Sequence, residues 1–473
     1  MYCSDAAKEL LYELNAAGHS AYLVGGCVRD SLMGRTPHDE DITTSALPEE
    51  VEALFSGNYR VIETGLKHGT VTVLVSGVPY EITTMRTEGG YRDNRHPDRV
   101  AFVREIRQDL ARRDFTVNAM AWSPAGGLVD PFGGQEDLER KVIRAVGKAE
   151  DRFREDALRM LRAVRFSARL GFEIEAETRN AIRNNSPLLR SVSKERIRDE
   201  LCGILVSDHP EQVAELYHTG LLQQISPALA AMFETPQNNP WHRGTVGEHT
   251  LWAMQNVPPV TELRLAMLLH DAGKVRTRTT DGKGIDHFYG HPAVSGEIAG
   301  AFLREYRFSN RELGRILPLV RSHDELSETA AGKALRRHVR NFLIRHREQP
   351  DQFFRDFLAV KRADCLAQNT GYERAAAYRP VLEQLERIIP EYLADERGEH
   401  LPRVLSDLAI SGSDLKTIAR GKDVGKLLVR LLRVVIDDPS ENDRETLLAL
   451  APGEYRAMKR EGRKEHSAES LQN

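Results

Sequence analysis

The stretch LVGGCVRDSLMGRTPHDEDI constrains the fold more than any other part of the chain. Its apolar start, Tyr22-Leu23-Val24, predicts a strand. Gly25 and Gly26 then let the backbone turn sharply and approach a ligand closely. Helix-forming residues follow, so free backbone N–H groups face the turn, and with Arg29 they suit a triphosphate. Asp39 and Asp41 stand one residue apart, and in an extended segment both project from one face. Two carboxylates so placed can share hard divalent cations with phosphate oxygens. That is the minimum equipment for two-metal phosphoryl or nucleotidyl transfer. A double glycine alone is an ordinary turn, and Asp-x-Asp alone an ordinary solvated loop. The constraint comes from their order.

That order, strand, Gly-Gly, helix, Asp-x-Asp, Ile, resembles the nucleotidyltransferase head of the class II tRNA nucleotidyltransferases (the CCA-adding enzymes) and of the related bacterial poly(A) polymerases. The rest of the chain can be read against this resemblance. Residues 1–147 alternate helix and strand signals, with candidate strands at 20–24, 39–44, 69–76, 79–85 and 100–103. From Glu150 onward strand signals almost vanish, and 3.6-residue periodicity takes over. Further breaks fall at 234–245 and near 370–400, and 459–473 is polar. The resemblance thus implies an α/β N-terminal head with a polymerase-β-like mixed sheet, followed by all-helical neck, HD body and tail domains. The boundaries are 1–147 for the head, 148–233 for a neck carrying a base-reading helix, 234–372 for an HD metal-binding domain and 373–473 for a tRNA-binding tail.

Composition excludes some classes. No apolar run reaches a membrane span, and the acidic N-terminus, with Asp5, Glu9 and Glu13, reads as an amphipathic helix and not a signal peptide. Four cysteines without a CxxC pair argue against a zinc knuckle or a disulfide scaffold and fit the cytoplasm. A net charge of −4 does not advertise a nucleic-acid binder, so local clusters matter more. These are Arg159/162/165/169, Arg336/337/340/345/347 and a series from Lys416 to Arg433. A basic helix face is also commonly just solvated.

Within the head, Glu81 stands where a third acidic group can approach the metals, or is a plain surface glutamate. The segment 87–103 is rich in Gly, Asp, Asn, Arg and Pro and reads as a loop; in the family the corresponding loop is associated with adding the terminal A. In DLARRDFTVNAMAW, the resemblance implies that Arg113 contacts nucleotide phosphates, Asp114 the sugar, and that Asn118 helps hold the site; a helix end with a capping Asp is the plain alternative. In EDALRMLRAVRF, Asp156 and Arg159 are three apart and so neighbours on a helix. Such a pair is commonly structural, but here it matches the family's base-reading motif. Cytosine and adenine both offer an amino donor beside a ring-nitrogen acceptor, whereas uracil and guanine offer the reverse. A carboxylate plus a guanidinium therefore selects C and A without a template. Arg162 and Arg165 extend the basic edge toward phosphates, and KERIRDEL, with Arg196 and Glu200, reads as a buttress.

Further on, His249, the pair His270-Asp271 and Asp364 stand in the order of the HD phosphohydrolase domain, and His291 and His323 fit a second metal. An imidazole and a carboxylate side by side can bind one divalent ion, here a transition metal. The resemblance implies addition of C, C and A to tRNA from CTP and ATP with Mg²⁺ at Asp39 and Asp41, and Gly25, Gly26, Arg29, Arg113, Asp114, Asn118, Asp156, Arg159, Arg162 and Arg165 at the nucleotide. Rivals are a partial CC- or A-adding enzyme, a poly(A) polymerase (whose GRRF-type signature is missing from YRVIETGLKHGTVTVLV), an HD phosphohydrolase with an RNA-binding head, and a non-catalytic RNA-binding module. Sequence leaves the oligomeric state open.

Overall fold

The computed structural model describes all residues except 66–68, 91–98, 327–338, 340–341, 343–349, 370–381, 388–403 and 470–473. It divides into two compact units, Met1–Glu234 with Phe302–Phe308, and Thr235–Ala301 with Ser309–Asn473. The basic cluster Arg336–Arg347 and the middle of the 87–103 loop lie outside the described residues.

In the first unit, helix α1 (Asp5–Ala16) is capped by Ser4, whose side chain accepts from the Ala7 N–H, and it buries Ala7, Leu10, Leu11 and Leu14. The strands are β1 (Ala21–Val24), β2 (Ile42–Thr44), β3 (Arg60–Gly65), β4 (Thr70–Val75), β5 (Val78–Thr84), β6 (Arg86–Gly89), β7 (Arg99–Phe102), β8 (Ala121–Ser123) and β9 (Gly127–Val129), with a short parallel pair, β10 (Val142–Ile143) and β11 (Glu173–Ile174). Seven of them form one mixed sheet in the order β3-β4-β5-β2-β1-β8-β9. Strand β1 runs antiparallel to β2 and β8, while β2 is parallel to β5 with Ile42 opposite Ile82. This topology sets the C-terminal end of β1, the entry to β2 and the early part of β5 on one edge. Strands β6 and β7 form a separate antiparallel ribbon. The expected strands at 20–24, 69–76, 79–85 and 100–103 are present and the one at 39–44 begins only at Ile42; β3, β6, β8 and β9 add to the expected set, so the ends of the expected 87–103 loop are a strand ribbon.

Short helices α2 (Gly26–Leu32), α3 (Pro48–Phe55), α4 (Ile106–Ala111) and α5 (Gly134–Arg140) connect the head strands. After α6 (Ala149–Glu155) comes α7 (Arg159–Leu170), which buries Leu161, Ala163, Val164 and Phe166. It packs on α9 (Lys194–Leu205), which follows α8 (Ala176–Asn185). A Cβ on Gly203 would lie 2.7 Å from Arg165 Cδ, so glycine there lets the Arg165 side chain cross α9. Helices α10 (Val213–His218), α11 (Leu221–Ile225) and α12 (Pro227–Met232) complete this part.

The second unit is helical. It holds α13 (Val246–Met254), α14 (Thr261–Leu269), α15 (Lys274–Thr277), the N-terminal part of α16 (His291–Glu305), α17 (Asn310–Ser322), α18 (Pro350–Ala367), α19 (Lys422–Asp437) and α20 (Arg444–Glu469). A small hairpin, Thr279–Thr280 with Asp286–His287, interrupts them. The last two helices share a core of Leu427, Leu431, Leu432, Val435, Leu447 and Ala451. Among the described residues no helix is long and apolar enough to cross a membrane.

Candidate functional site

At the head, Gly25 ends β1 with φ 74° and ψ −128°, a backbone state that only glycine adopts without strain. Arg113 lies against it: a Cβ on Gly25 would sit 2.9 Å from Arg113 Nη1. Among the described residues the buried Arg113 Nε has no hydrogen-bond partner, and the Arg113 contact to the Asp109 carboxylate is long at 3.4 Å. Arg113 is therefore a cation held at the turn with donor capacity to spare, as a phosphate-binding arginine requires.

Asp41 accepts the Val24 N–H through its carbonyl at 3.0 Å, which fixes the entry to β2 beside the turn. The β2–β5 register then brings Glu81, one residue before Ile82, alongside Asp41. Asp41 and Glu81 are exposed while Ile42 and Ile82 are buried, so both carboxylates face the same side. The crowded setting of Asp41 and the like charges of Asp39 and Glu81 push its pKa up to about 6, against the lowering pull of Arg113. Because the carboxylate touches solvent, the like charges are the firmer part of that rise. Negative charge gathered in this way around Asp41 is relieved by a divalent cation, and these residues fit one.

Two expectations are corrected here. Arg29 does not face the turn's ligand side; it is 3% exposed, donates to Asn118 Oδ1 at 2.6 Å and pairs with Asp30 at 2.7 Å. Its guanidinium also lies 5.6 Å from the Phe166 ring centre. Asn118 thus holds Arg29, and Arg29 holds the turn from beneath. Asp156 and Arg159 do not share a helical turn either. Asp156 is extended (φ −138°, ψ 106°) in a break between α6 and α7, where its carboxylate accepts the Leu158 N–H at 3.0 Å. It pairs with Arg196 of α9, at 2.8 and 3.4 Å. Arg159 pairs instead with Glu155 at 2.6 Å and donates to the Arg112 carbonyl at 3.0 Å. Both remain beside the 111–114 segment, because Arg152 also bonds the Ala111 carbonyl at 3.0 Å.

Asp114 is buried and takes both Nε and Nη2 of Arg162, at 2.8 and 2.7 Å. Burial opposes its charge, but Arg162 outweighs burial and holds the carboxyl below its ordinary range. Arg165 pairs with Glu200 at 2.6 Å and lies 4.8 Å from the Phe166 ring centre. Arg162 and Arg165 are thus engaged with carboxylates and do not form an open phosphate edge.

The tightest candidate metal-ligand clusters among the described residues are in the second unit: His249, His270 and Asp364, and His270, Asp271 and His323. His249 lies on α13, His270 caps α14, His291 opens α16, His323 caps α17 and Asp364 lies on α18. Three rings are oriented alike. The Nδ1 atoms of His270, His291 and His323 donate to the carbonyls of Met267, Phe288 and Val320 at 2.6, 2.9 and 2.7 Å. Each Nε2 lone pair is thereby turned inward, the usual support of a metal-bound histidine. His249 Nε2 is 2.8 Å from Asp364 Oδ1, and Asp271 Oδ1 is 3.3 and 3.5 Å from His291 and His323 Nε2. Among the described residues His249 Nδ1 is buried without a hydrogen bond, and Asp271 is ringed by Lys274 Nζ at 2.7 Å, His270 Nε2 at 3.2 Å and the two further imidazoles without a well-directed bond to either oxygen. Buried imidazole and carboxylate atoms that converge in this way fit a divalent metal. Burial opposes the Asp271 charge, but His270 and Lys274 hold it well below the ordinary carboxylate range. Gly273 permits the assembly, because a Cβ there would lie 2.4 Å from the His291 carbonyl.

Sequence reasoning missed Lys274 and His242, which stand beside the ligand residues in this cavity of about 330 Å³. Lys274 is 2.7 Å from Asp271 Oδ2, and its spacing three residues after Asp271 was an available signal. His242 packs edge-on against His249, with ring centres 4.9 Å apart; it stands before α13 begins at Val246, so helical spacing does not relate the two.

Comparison with known proteins bears on both sites. Residues 21–144 match the Poly A polymerase head domain, 171–233 the probable RNA and SrmB-binding site of polymerase A, and 245–369 the HD domain. The CCA-adding enzyme of Lactiplantibacillus plantarum is 36% identical over 461 residues, 94% of this chain and 95% of that one. This chain belongs to the CCA-adding enzyme family. The Bacillus stearothermophilus CCA-adding enzyme, solved in complex with CTP, is 30% identical and superposes with a TM-score of 0.67 over 96% of this chain and 98% of its own. The Thermotoga maritima CCA-adding enzyme, solved with tRNA_CCA, shares the fold at 21% identity and a TM-score of 0.54, over 94% of this chain and 93% of its own. As a CCA-adding enzyme of this kind, the chain is a nucleotidyltransferase that uses a divalent metal.

Proposed function

We propose that the chain adds C, C and A, in that order and without a nucleic-acid template, to the 3′ end of tRNA, using CTP and ATP and releasing pyrophosphate. The observation that carries this is the carboxylate group Asp39, Asp41 and Glu81 facing Arg113 at the Gly25 turn, in a chain similar along 94% of its length to a CCA-adding enzyme. Asp39 and Asp41 would hold Mg²⁺, with Glu81 beside them. When bound, Mg²⁺ would activate the tRNA 3′-hydroxyl and steady the leaving pyrophosphate. Gly25 and Gly26 let the triphosphate approach, Arg113 supplies a donor to it, and Asn118, through Arg29, keeps the turn in shape. Asp114, locked by Arg162, presents a fixed acceptor to the sugar. Asp156 and Arg159 read the base edge, with Arg196 and Glu155 as their resting partners. Residues 1–147, 148–233, 234–372 and 373–473 serve as head, neck, HD body and tRNA-binding tail, in a cytoplasmic protein. The test is incorporation of labelled CTP into tRNA lacking its 3′ end. Asp39→Ala with Asp41→Ala should abolish it in a folded protein, and normal extension by that double variant would refute the assignment.

A second reading is favoured by the buried histidine and aspartate clusters of the second unit. His249, His270, Asp271 and Asp364, with His291 and His323, would hold a divalent transition metal, giving phosphate-ester hydrolysis beside nucleotide addition.

A further inference from the structure

The rim of the second-unit cavity carries an aromatic arrangement that metal binding does not explain. Tyr289 is 79% exposed, the most exposed large apolar side chain among the described residues. It is not loosely placed: its ring stacks flat on His287, with centres 5.4 Å apart and planes 6° from parallel. Both residues line the cavity together with Lys274, His291 and Asp271.

The support beneath the stack is rigid. The strand ends at His287 and the chain turns at Tyr289, with Phe288 buried between the two stacked rings' residues. Phe288 is buried, and Lys274 Nζ lies 5.4 Å from its ring centre. The Phe288 carbonyl accepts the Nδ1–H of His291 at 2.9 Å, so the backbone that carries Tyr289 also orients a metal-ligand ring. Asp281 closes the hairpin by accepting the Lys283 and Ile285 N–H groups at 2.9 and 3.0 Å, and it holds His287 Nε2 at 3.2 Å. Asp286 is buried and accepts the Asn238 N–H at 2.9 Å. The exposed tyrosine thus stands on a pinned turn with one ring face covered by His287 and the other toward solvent, one short side chain from a cationic, metal-ligating floor.

We propose that Tyr289 is a stacking platform for the base of a nucleoside phosphate whose phosphate is received at Lys274 and the metal-ligand cluster. This makes the second centre selective for nucleotides over base-free phosphate esters. The proposal rests on the phosphate reading of this cavity and adds the residue that sets its specificity. Base–aromatic stacking tolerates any base, so the selection is for the presence of a base and not its identity. The shared chemistry could come from a free nucleoside monophosphate or from an RNA end bearing a terminal phosphate.

The test is calorimetric titration of the full chain with adenosine 3′-monophosphate and with glycerol 2-phosphate. Tyr289→Ala should weaken the nucleotide about tenfold and leave glycerol 2-phosphate unchanged, while Tyr289→Phe should retain nucleotide affinity. Lys274→Met should weaken both ligands. If Lys274→Met alters neither, the phosphate reading of the cavity falls. If both ligands respond to Lys274→Met but the nucleotide is indifferent to Tyr289→Ala, or both ligands weaken equally in Tyr289→Ala, the platform alone is overturned. Competition by a short RNA with a 3′-phosphate separates the sources. Tighter binding of that RNA, lost in Tyr289→Ala, assigns the site to RNA ends, and affinity equal to the mononucleotide assigns it to free nucleotides.

Discussion

Replacing Arg196 with alanine tests how base choice is held in place. The Asp156 carboxylate has two partners in the structure, the Leu158 N–H at 3.0 Å and the Arg196 guanidinium at 2.8 and 3.4 Å. Only one of the two guanidinium bonds is short, and the side chains are 27% and 19% exposed for Arg196 and Asp156. A charge-assisted bond is worth roughly 1.5–3 kcal/mol, and this partial exposure places the pair near the lower end. Without Arg196 the carboxylate keeps one backbone bond and can rotate away from the base edge. A loss of about 1.5 kcal/mol corresponds to about tenfold in selectivity. The assay is kcat/KM for CTP over UTP on tRNA lacking its 3′ end, in wild type and Arg196→Ala, with thermal melting alongside. The expected result is a ratio lowered about tenfold. An unchanged ratio with a lower melting temperature would show that Arg196 and Asp156 are scaffold only.

Three further outcomes are expected. Asp41, raised from 3.8 to about 6 on folding, takes up a proton in the folded state across that interval, so the metal-free protein loses stability as pH rises through it. About 2 pKa units would be worth about 3 kcal/mol in a buried site, and solvent exposure reduces this to about 1 kcal/mol; Asp41→Asn should therefore stabilise the metal-free protein above pH 6 and not below 3.8, as read by chemical denaturation. Gly25→Ala meets both a positive φ of 74° and Arg113 at 2.9 Å, so it should cost about 2 kcal/mol and raise the KM for CTP; a variant with wild-type melting and KM would contradict the strained turn. His270→Ala should lose the metal found by elemental analysis of the purified protein while nucleotide addition continues. Loss of addition in a folded His270→Ala protein would show that the two centres are not independent.

The sequence made the head legible because local signals and tertiary demands agree there. The Gly25 turn, the Asp39/Asp41 pair and the order of the HD ligands are all short-range or ordered patterns. Glu81 reached the site through the β2–β5 register, which spacing alone does not reveal. The misreadings came from tertiary override. EDALRM is mostly good helix formers, yet the helix breaks at its one poor former, Asp156, whose side chain caps Leu158 and is drawn to Arg196 on another helix. Arg29 was read outward from its motif, but Asn118, 89 residues away in sequence, turns it inward. Tyr289 shows nothing in the sequence beyond an aromatic in a turn; its meaning depends on which cavity it borders.

The most direct measurement of the central claim is a product ladder. Purified protein is incubated with tRNA ending before its 3′-terminal CCA, with CTP alone, ATP alone, both, and UTP or GTP, and products are read at single-nucleotide resolution. The account predicts two added residues with CTP, three and no more with CTP and ATP together, and no extension with UTP or GTP. A long ladder with ATP alone, or arrest after two residues when both nucleotides are present, would contradict it.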